Sequence, residues 1–220
     1  MSDLPGQNDR GAVRAPARGT PRGPAPVAVE PRVIIVSGPS GAGKGTLIQG
    51  VLPCFPWIET AISATTRRRR PGEVDGLHYH FLDESEFVRR AAAGDFLEHV
   101  SYAGNRYGTL RSEIDRILAS GRAPLVEIEL RGARAVRSCI PGALAVFIAP
   151  PSVEELARRL EERGTDDPAD IAERMRTSKI ELRARDEFDC VIVNDDRAEA
   201  TVRLAREIAR ACGAKEPCDG

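Results

Sequence analysis

VIIVSGPSGAGKGTLI, residues 33–48, is the stretch that decides the fold, because an apolar run leads directly into a glycine-rich loop. Residues 33–36 form a continuous β-branched run, which predicts a strand buried on both faces. Apolar side chains at helical spacing follow within residues 47–52, and Pro53 ends that helix. A strand, a glycine-rich loop and a helix in this order are typical of a site that binds nucleotide phosphates.

Residues 38–46, called the phosphate loop below, have the composition that phosphate binding requires. Glycines let backbone N–H groups converge on phosphate oxygens, the start of the helix adds partial positive charge, and Lys44 can reach the β- and γ-phosphates. The usual pattern has Ser or Thr directly after the lysine to hold Mg²⁺, but here Gly45 stands there and Thr46 follows. We predict Mg²⁺ bound with ATP as the cofactor, with Thr46 as its candidate ligand. The predicted ATP-binding residues of the loop are Gly38, Pro39, Ser40, Gly41, Ala42, Gly43, Lys44, Gly45 and Thr46.

Three further apolar runs resemble the first strand and are flanked by helical patterns. These runs lie at residues 124–128, 144–148 and 190–193. The helical patterns include residues 112–119 and residues 201–211. Strands that alternate with helices predict an α/β fold with a central parallel sheet of about five strands, covered by helices on both faces.

Two more helices are predicted from their start signals. Asp83 with Glu86, and Ser152 with Glu155, each combine a capping side chain with a glutamate three residues later. The second signal opens a segment in which residues 158–185 are dominated by charge. We expect this segment to have little core of its own and to be mobile.

Length and composition predict one domain with a proper core. The chain has 220 residues, of which 41% are hydrophobic. Residues 1–31 are rich in Pro, Gly, Ala and Arg, which predicts a disordered tail, and residues 214–220 are predicted to be a flexible C-terminus. The 32 basic and 33 acidic residues nearly cancel, so bulk charge gives no reason to expect a nucleic-acid partner.

The cysteines and the apolar runs bear on localisation. The five cysteines form no CxxC pair, have no histidines at metal spacing, and are odd in number, so we interpret them as reduced thiols. No apolar run is long enough to span a bilayer, and the N-terminus has no hydrophobic signal segment. The sequence therefore predicts a soluble, cytoplasmic protein without a membrane partner.

Four consecutive arginines at residues 67–70 allow two interpretations. Taken alone, such a run is usually a solvated stretch or a nucleic-acid patch. A second phosphate-carrying substrate must, however, approach the phosphate loop in line with the transferred group. Arginines are the natural clamp for its phosphate because they bind the oxygens bidentately.

From about residue 32 to residue 211 the chain resembles the guanylate kinase family. The motifs that carry the resemblance are GPSGAGKGT (38–46), SATTRxxRPGE (63–73), DGxxYHF (75–81), GxxYGT (104–109), the acidic strand (124–129) and RLxxRGT (159–165). The resemblance implies a P-loop NTPase fold with a small mixed β subdomain that binds the nucleoside monophosphate and a helical lid. It implies transfer of the γ-phosphate of ATP to GMP, and to dGMP as a second acceptor.

The same resemblance implies the residues of the acceptor site. Glu98 would accept hydrogen bonds from guanine N1–H and the exocyclic amine, with Thr109 as its hydroxyl partner, and the carboxylate would repel the ring nitrogen of adenine. Glu129 stands where the family usually has aspartate. The implied GMP-binding residues are Ser63, Arg67, Arg70, Tyr79, Glu98, Tyr107, Thr109, Glu127 and Glu129.

Catalysis in the family relies on charge neutralisation and in-line positioning, so no general base is expected. The implied catalytic residues are Lys44, Arg67, Arg159, Arg163 and Arg174, and Asn194 matches a position near the adenine of ATP. The implied division of the chain is a core of residues 32–62, 111–150 and 187–213, a GMP-binding subdomain of residues 63–110, and a lid of residues 151–186, within a domain of residues 32–213.

Purely structural roles stay open for several of these residues. Glu127 and Glu129 can pair with neighbouring arginines. Arg159 and Arg163 have glutamates three and four residues away on the same helix. Asn194 lies in an Asn-Asp sequence that is also common in turns.

Three other functions also stay open. Another small P-loop kinase would share the loop without a carboxylate at residue 98. A silent guanylate-kinase-like scaffold would bind phosphorylated peptides and would typically have lost the phosphate loop, which is intact here. Nucleic-acid binding through the tail and residues 67–70 would depend steeply on salt. The sequence does not distinguish a monomer from a homodimer.

Overall fold

The computed structural model describes residues 31–102, 104–162 and 168–216. The predicted N-terminal tail, except for its last residue, lies outside these ranges, as do residues 217–220 of the predicted flexible C-terminus. Within the described ranges, no helix combines the length and the apolar character needed to cross a membrane.

Nine strands in the described residues form two sheets. They are β1 (Ile34–Ser37), β2 (Ile58–Thr60), β3 (Ala64–Thr65), β4 (His80–Phe81), β5 (Phe96–Tyr102), β6 (Asn105–Leu110), β7 (Ala123–Glu127), β8 (Leu144–Ala149) and β9 (Cys190–Val193). The first sheet has the order β2-β7-β1-β8-β9 and is entirely parallel. The second has the order β4-β3-β6-β5 and is mixed, because β3 pairs parallel with β4 and antiparallel with β6.

Seven α-helices in the described residues surround these sheets. They are α1 (Lys44–Val51), α2 (Glu84–Ala93), α3 (Arg111–Ala119), α4 (Leu130–Cys139), α5 (Val153–Glu162), α6 (Pro168–Arg183) and α7 (Arg197–Ala211). The central parallel sheet of five strands, the flanking helices and the smaller mixed sheet confirm the predicted fold class.

The three inner strands of the central sheet, β7, β1 and β8, are buried on both faces because they are apolar on both sides. In β1, Ile34 packs with residues of α1 and α7, whereas the adjacent Ile35 packs with residues of α3 and α4. Both isoleucines are fully buried. The continuous apolar run seen in the sequence is therefore explained by two layers of helices.

The ends of three parallel strands bring the chemically important segments to one edge of the sheet. The phosphate loop follows β1, Glu127 ends β7, and Asn194 follows β9 directly. In parallel sheets of this kind, ligands bind at the carboxyl ends of the strands.

Most predicted elements agree with the observed ones to within a residue at each end, and two larger differences have a local reason. β2 was not predicted, because its three residues are too few to show a pattern. Helix α7 begins at Arg197 rather than at residue 201, because Asp196 caps it by accepting a hydrogen bond from the Glu199 amide at 2.9 Å. The caps predicted at Asp83 and Ser152 are confirmed by hydrogen bonds of 2.7 and 3.1 Å from the amides three residues later.

In the described part of residues 158–185, where we expected little core, one large apolar side chain is fully buried, and two polar residues are buried as well. Leu160 is fully buried on α5, and Ser178 and Glu181 are buried on α6. Leu156 and Leu160 lie against the phosphate loop, where a Cβ added at Gly41 would be 3.0 and 3.2 Å from their methyl groups. Helix α5 is therefore packed onto the loop through apolar contacts that the surrounding charges concealed.

Candidate active site

The phosphate loop is held tightly against the end of the central sheet. Gly38 has a φ of +139°, and a Cβ there would lie 2.2 Å from the carbonyl oxygen of Ile148 in β8. The Nζ of Lys44 donates hydrogen bonds to the carbonyls of Gly38 (2.7 Å) and Pro39 (3.2 Å), within its own loop. The ammonium group is thus already positioned at the mouth of the loop.

Asn194, which directly follows β9, holds the phosphate loop in place through a hydrogen bond. Its side-chain amide donates a 2.7 Å hydrogen bond to the carbonyl of Ala42, and the residue is buried. A Cβ added at Gly43 would lie only 2.3 Å from the Asn194 amide nitrogen. The asparagine predicted near adenine therefore supports the loop backbone through its side chain.

A cavity of about 440 Å³, called the Asn194 cavity, opens beside the loop. It is lined by Gly41, Gly43, Thr46, Arg159, Glu162, Asn194, Asp195 and Arg197. Arg159 donates to the carboxylate of Glu155 at 2.8 Å and to the carbonyl of Asn194 at 3.0 Å. This arginine is therefore ion-paired on its helix and also lines the cavity, and its role toward ATP stays a prediction.

A second cavity, the Glu98 cavity, has a volume of about 300 Å³ and lies between the two sheets. It is lined by Ser63, Tyr79, Glu98, Val100, Tyr107, Gly108, Glu127, Ile128, Glu129 and Gly132. The hydroxyl of Thr109, which does not itself line the cavity, donates a 2.9 Å hydrogen bond to the Glu98 carboxylate. Burial raises the pKa of Glu98, and the charge of Glu129 acts in the same direction. The carboxylate is a strong acceptor that a ligand donor would stabilise.

Arg67 lies beside Tyr79, one of the residues that line the Glu98 cavity, and is held in a fixed orientation. Its guanidinium binds both oxygens of Glu73, at 2.6 and 3.0 Å, and stacks over the rings of Tyr79 and Phe81 at 5.4 and 5.8 Å. The bond from Arg67 holds the pKa of Glu73 down at about 2. The structure therefore brings Arg67, Tyr79 and Tyr107 together, the two tyrosine rings being 6.2 Å apart.

Arg70 is placed differently from the rest of the predicted clamp. Its side chain is exposed, and its backbone is bonded to Glu73, whose carboxylate accepts from the Arg70 amide at 2.7 Å and whose amide donates to the Arg70 carbonyl at 3.1 Å. Neither Arg67 nor Arg70 lines the Glu98 cavity, but Arg67 lies over the ring of Tyr79, which does line it.

A third cavity of about 360 Å³, the connecting cavity, joins the phosphate loop to the Glu98 cavity. It is lined by Ser40, Lys44, Thr60, Ala61, Ser63, His78, Tyr79, Glu127, Ile128 and Glu129. Ser63, Tyr79 and both glutamates of this set also line the Glu98 cavity. The connecting cavity and the Glu98 cavity thus share a wall, and the connecting cavity forms an open path between Lys44 and Tyr79.

The residues beside the loop fit a magnesium ion held together with nucleotide phosphates. Gly45 faces Glu127, because a Cβ added there would be 3.5 Å from one oxygen of that carboxylate. Thr46 instead lines the Asn194 cavity. No cluster of three or more acidic, His or Cys ligands occurs in the described part of the chain, but Mg²⁺ needs only one or two carboxylates when phosphates supply the remaining oxygens.

Residues 30–211 match the family model described as guanylate kinase. The chain belongs to the guanylate kinase family. A guanylate kinase of Frankia casuarinae is 52% identical over 77% of this chain and 92% of its own length. A guanylate kinase of Rubrobacter xylanophilus is 46% identical, over 85% and 98% respectively. The crystal structure of guanylate kinase from Anaplasma phagocytophilum superposes with a TM-score of 0.65 at 28% identity, covering 86% of this chain and 90% of that one.

Membership of the guanylate kinase family confirms the resemblance stated from the motifs. The roles of the individual residues stay predictions. Arg174 lies half-buried on α6, and Arg163 lies outside the described residues.

Sequence reasoning assigned no individual role to three residues at this site. Glu73 orients Arg67, and its place at the end of the SATTRxxRPGE motif was the available signal. Gly132 makes room for Glu98, since a Cβ there would be 3.1 Å from the carboxylate. Glu181 of α6 accepts a hydrogen bond from the Leu130 amide, and burial, with the charge of Glu129, raises the pKa of Glu181 to about 7. The contacts of Gly132 and Glu181 are tertiary, so no sequence pattern indicates them.

Proposed function

We propose that this chain transfers the γ-phosphoryl group of ATP to GMP, giving ADP and GDP. A phosphate oxygen of GMP attacks the γ-phosphorus while the bond to the β,γ-bridging oxygen breaks. The observation that carries the proposal is the connecting cavity, because it joins Lys44 of the phosphate loop to the cavity that contains Glu98. The two substrates can therefore meet in line without leaving the protein.

Guanine recognition is assigned to Glu98 and Thr109. The Thr109 hydroxyl occupies one carboxylate oxygen of Glu98 and fixes its orientation. Because burial disfavours the unpaired charge, two donors on guanine would stabilise the carboxylate, whereas adenine would present a ring nitrogen to it. Glu129 lines the same cavity and is the proposed second acceptor.

The phosphate of GMP is assigned to Ser63, Tyr79 and Tyr107, which line the cavity, and to Arg67, which lies over the ring of Tyr79. Arg67 is held by Glu73 and by the two aromatic rings, so its planar donors are oriented before a substrate arrives. Pre-orientation of this kind reduces the entropic cost of binding. Arg70 would join the clamp only through a change of its side-chain rotamer, since it is exposed here.

ATP is assigned to the phosphate loop and the Asn194 cavity, with its phosphates on the loop amides and Lys44. Glu127, which faces the loop at Gly45, is the carboxylate that would hold Mg²⁺ together with phosphate oxygens, and Thr46, on the side of the Asn194 cavity, is kept as the candidate from the sequence. The ion, when bound, neutralises charge on the transferring phosphates. Arg159, with Arg163 and Arg174 as lid residues, would add positive charge around the same phosphates. We assign Asn194 to the loop backbone and to the wall near the base.

The cellular role that follows is purine nucleotide metabolism in the cytoplasm, with dGMP as a second acceptor and no nucleic-acid partner. The scaffold alternative is disfavoured by Lys44, which is positioned at the mouth of an intact loop. Another small-molecule kinase is disfavoured by the buried carboxylate of Glu98. The oligomeric state, monomer or homodimer, is left open.

A coupled ADP-release assay tests the proposal. The protein is mixed with ATP, Mg²⁺ and, separately, GMP, dGMP, AMP, CMP or UMP. ADP formation with the guanine nucleotides alone is the expected result. Failure of all five acceptors, while GMP or a phosphopeptide still binds, would favour the scaffold, and turnover with AMP would favour a different kinase.

A further inference from the structure

Arg197 lies at the Asn194 cavity but belongs to none of the motifs described above. It is the first residue of α7, its side chain is exposed, and it lines the cavity together with Gly41, Gly43 and Arg159. Its backbone carbonyl accepts a 2.7 Å hydrogen bond from the Thr201 hydroxyl, but no hydrogen bond or ion pair connects its guanidinium to any residue in the described part of the chain. Among those residues, the cavity therefore contains a guanidinium without a protein partner.

The acidic residues around Arg197 are already engaged by other groups. Asp195 is paired with Arg203, Asp196 caps α7 through the Glu199 amide, and Glu199 contacts Arg203 at 3.4 Å. Arg210, at the other end of the same helix, is by contrast ion-paired with Glu207 at 2.5 Å. Arg197 is therefore distinguished by an environment that leaves its guanidinium available.

The position of Arg197 is also unfavourable for the helix that carries it. The first turn of a helix bears partial positive charge, so a cation there is repelled. An arginine at this position therefore does not stabilise the helix. Its presence would be explained by an interaction with a ligand in the Asn194 cavity.

The topology indicates which end of a donor nucleotide Arg197 would meet. The phosphate loop follows β1, and β8 lies between β1 and β9 in the sheet. Two strand spacings separate the end of β1 from the end of β9 by about 10 Å. Residues just after β9 therefore lie to one side of the phosphates, and the Glu98 and connecting cavities lie on the opposite side, at the end of β7. With the acceptor in the Glu98 cavity, the Asn194 cavity is the space left for the ribose and base of the donor.

We propose that Arg197 is a binding residue for the donor nucleotide, with its planar guanidinium stacked on the purine ring. The inference rests on the proposed function for the identity of that nucleotide. A guanidinium over an aromatic ring is attracted by the ring electrons and covers the ring without needing a specific hydrogen bond. Arg197 would thus add affinity for the purine of the phosphate donor.

The test compares Arg197→Gln and Arg197→Lys with the wild-type chain and with Arg210→Gln, a control on the same helix. Steady-state kinetics give the KM for ATP and for GMP, and inorganic tripolyphosphate serves as an inhibitor that has phosphates but no base. We expect Arg197→Gln to raise the KM for ATP by about 3- to 10-fold, with the KM for GMP and inhibition by tripolyphosphate unchanged. Arg197→Lys should recover little, and the Tm of Arg197→Gln should equal or exceed that of the wild type.

Two results would overturn the inference. An unchanged KM for ATP in Arg197→Gln would show that the side chain does not contact the donor. An equal loss of tripolyphosphate inhibition would show that it acts on the phosphates by charge. If the wild-type chain itself shows no turnover, the proposed function fails, and calorimetric titration of ATP into the wild type and Arg197→Gln still decides whether Arg197 binds the nucleotide.

Discussion

At the scale of single residues, the proposed selectivity for the acceptor would depend on how Glu98 is held. Thr109 fixes one oxygen, Gly132 lies against the other, and burial makes the charge costly unless a ligand pairs with it. The carboxylate is therefore positioned to discriminate between bases by whether they bring donors or acceptors to it.

Replacing Glu98 by Gln should weaken the use of GMP. The amide offers one acceptor and one donor, so one guanine donor loses its charged partner, and we expect kcat/KM for GMP to fall by the equivalent of about 1–3 kcal/mol. The KM for ATP should change little. Glu161→Gln, at an exposed position on α5, is the control. Equal kcat/KM values for GMP in the wild type and Glu98→Gln would remove Glu98 from the base site.

Replacing Gly132 by Ala should weaken the binding of GMP without lowering the stability of the protein. Alanine favours a helix over glycine by about 1 kcal/mol, but its Cβ would lie 3.1 Å from the Glu98 carboxylate. We expect a several-fold rise in the KM for GMP without loss of thermal stability. Ser138→Ala, an exposed position on the same helix, should leave the KM unchanged. A KM for GMP that is unaffected in Gly132→Ala would show that Glu98 can move aside freely.

At the scale of elements, the phosphate loop has no room for a side chain at Gly43. Gly43 has a φ of +91°, and the Asn194 amide occupies the space that its Cβ would need. Gly94 ends α2 with a similar φ of +78°, but no atom lies within 4 Å of the Cβ position. The two glycines therefore differ in crowding and not in backbone conformation.

This difference makes Gly43→Ala and Gly94→Ala a matched pair for measuring the support of the loop. Both substitutions bear the strain of a left-handed residue, but only Gly43→Ala should also break the bond from Asn194 to Ala42. Denaturant unfolding should show Gly43→Ala less stable than Gly94→Ala by roughly 1–3 kcal/mol. Equal losses in the two variants would show that the loop does not depend on Asn194.

Helix α6 is connected to the active site through Glu181, whose pKa is raised to about 7. Because the folded protein binds this proton more tightly than the unfolded chain does, the residue lowers stability as pH rises from about 4.5 to 7. Glu181→Gln keeps an acceptor for the Leu130 amide and removes the charge. The variant should gain stability over the wild type at pH 8, by up to about 3 kcal/mol, and gain little at pH 4.5. Equal differences at both pH values would contradict this assignment.

The elements that could be predicted are those whose own residues determine them. The buried run of β1 and the caps at Asp83 and Ser152 are local signals, and they are confirmed. β2 could not be predicted, because its three residues become a strand only by pairing with β7. The burial of Leu160 could not be predicted either. Leu160 lies on a helix rich in charged residues, and it is buried by a tertiary contact with the phosphate loop.

At the scale of the whole molecule, the arrangement of cavities is the main result that the sequence does not give directly. The motifs indicated two nucleotide sites. The structure adds a connecting cavity that contains Lys44 of the phosphate loop and shares Ser63, Tyr79, Glu127 and Glu129 with the Glu98 cavity. Residues of the candidate site that lie within motifs were predictable. Gly132 and Glu181 were not, because their contacts join segments far apart in the chain.

Transfer of the γ-phosphoryl group to GMP is the central claim, and following the label from [γ-³²P]ATP into the products tests it most directly. With Mg²⁺ and GMP present, chromatography should show the label in GDP, and Lys44→Ala should abolish its appearance. Label that appears only as inorganic phosphate, or GDP that forms equally well in Lys44→Ala, would contradict the account.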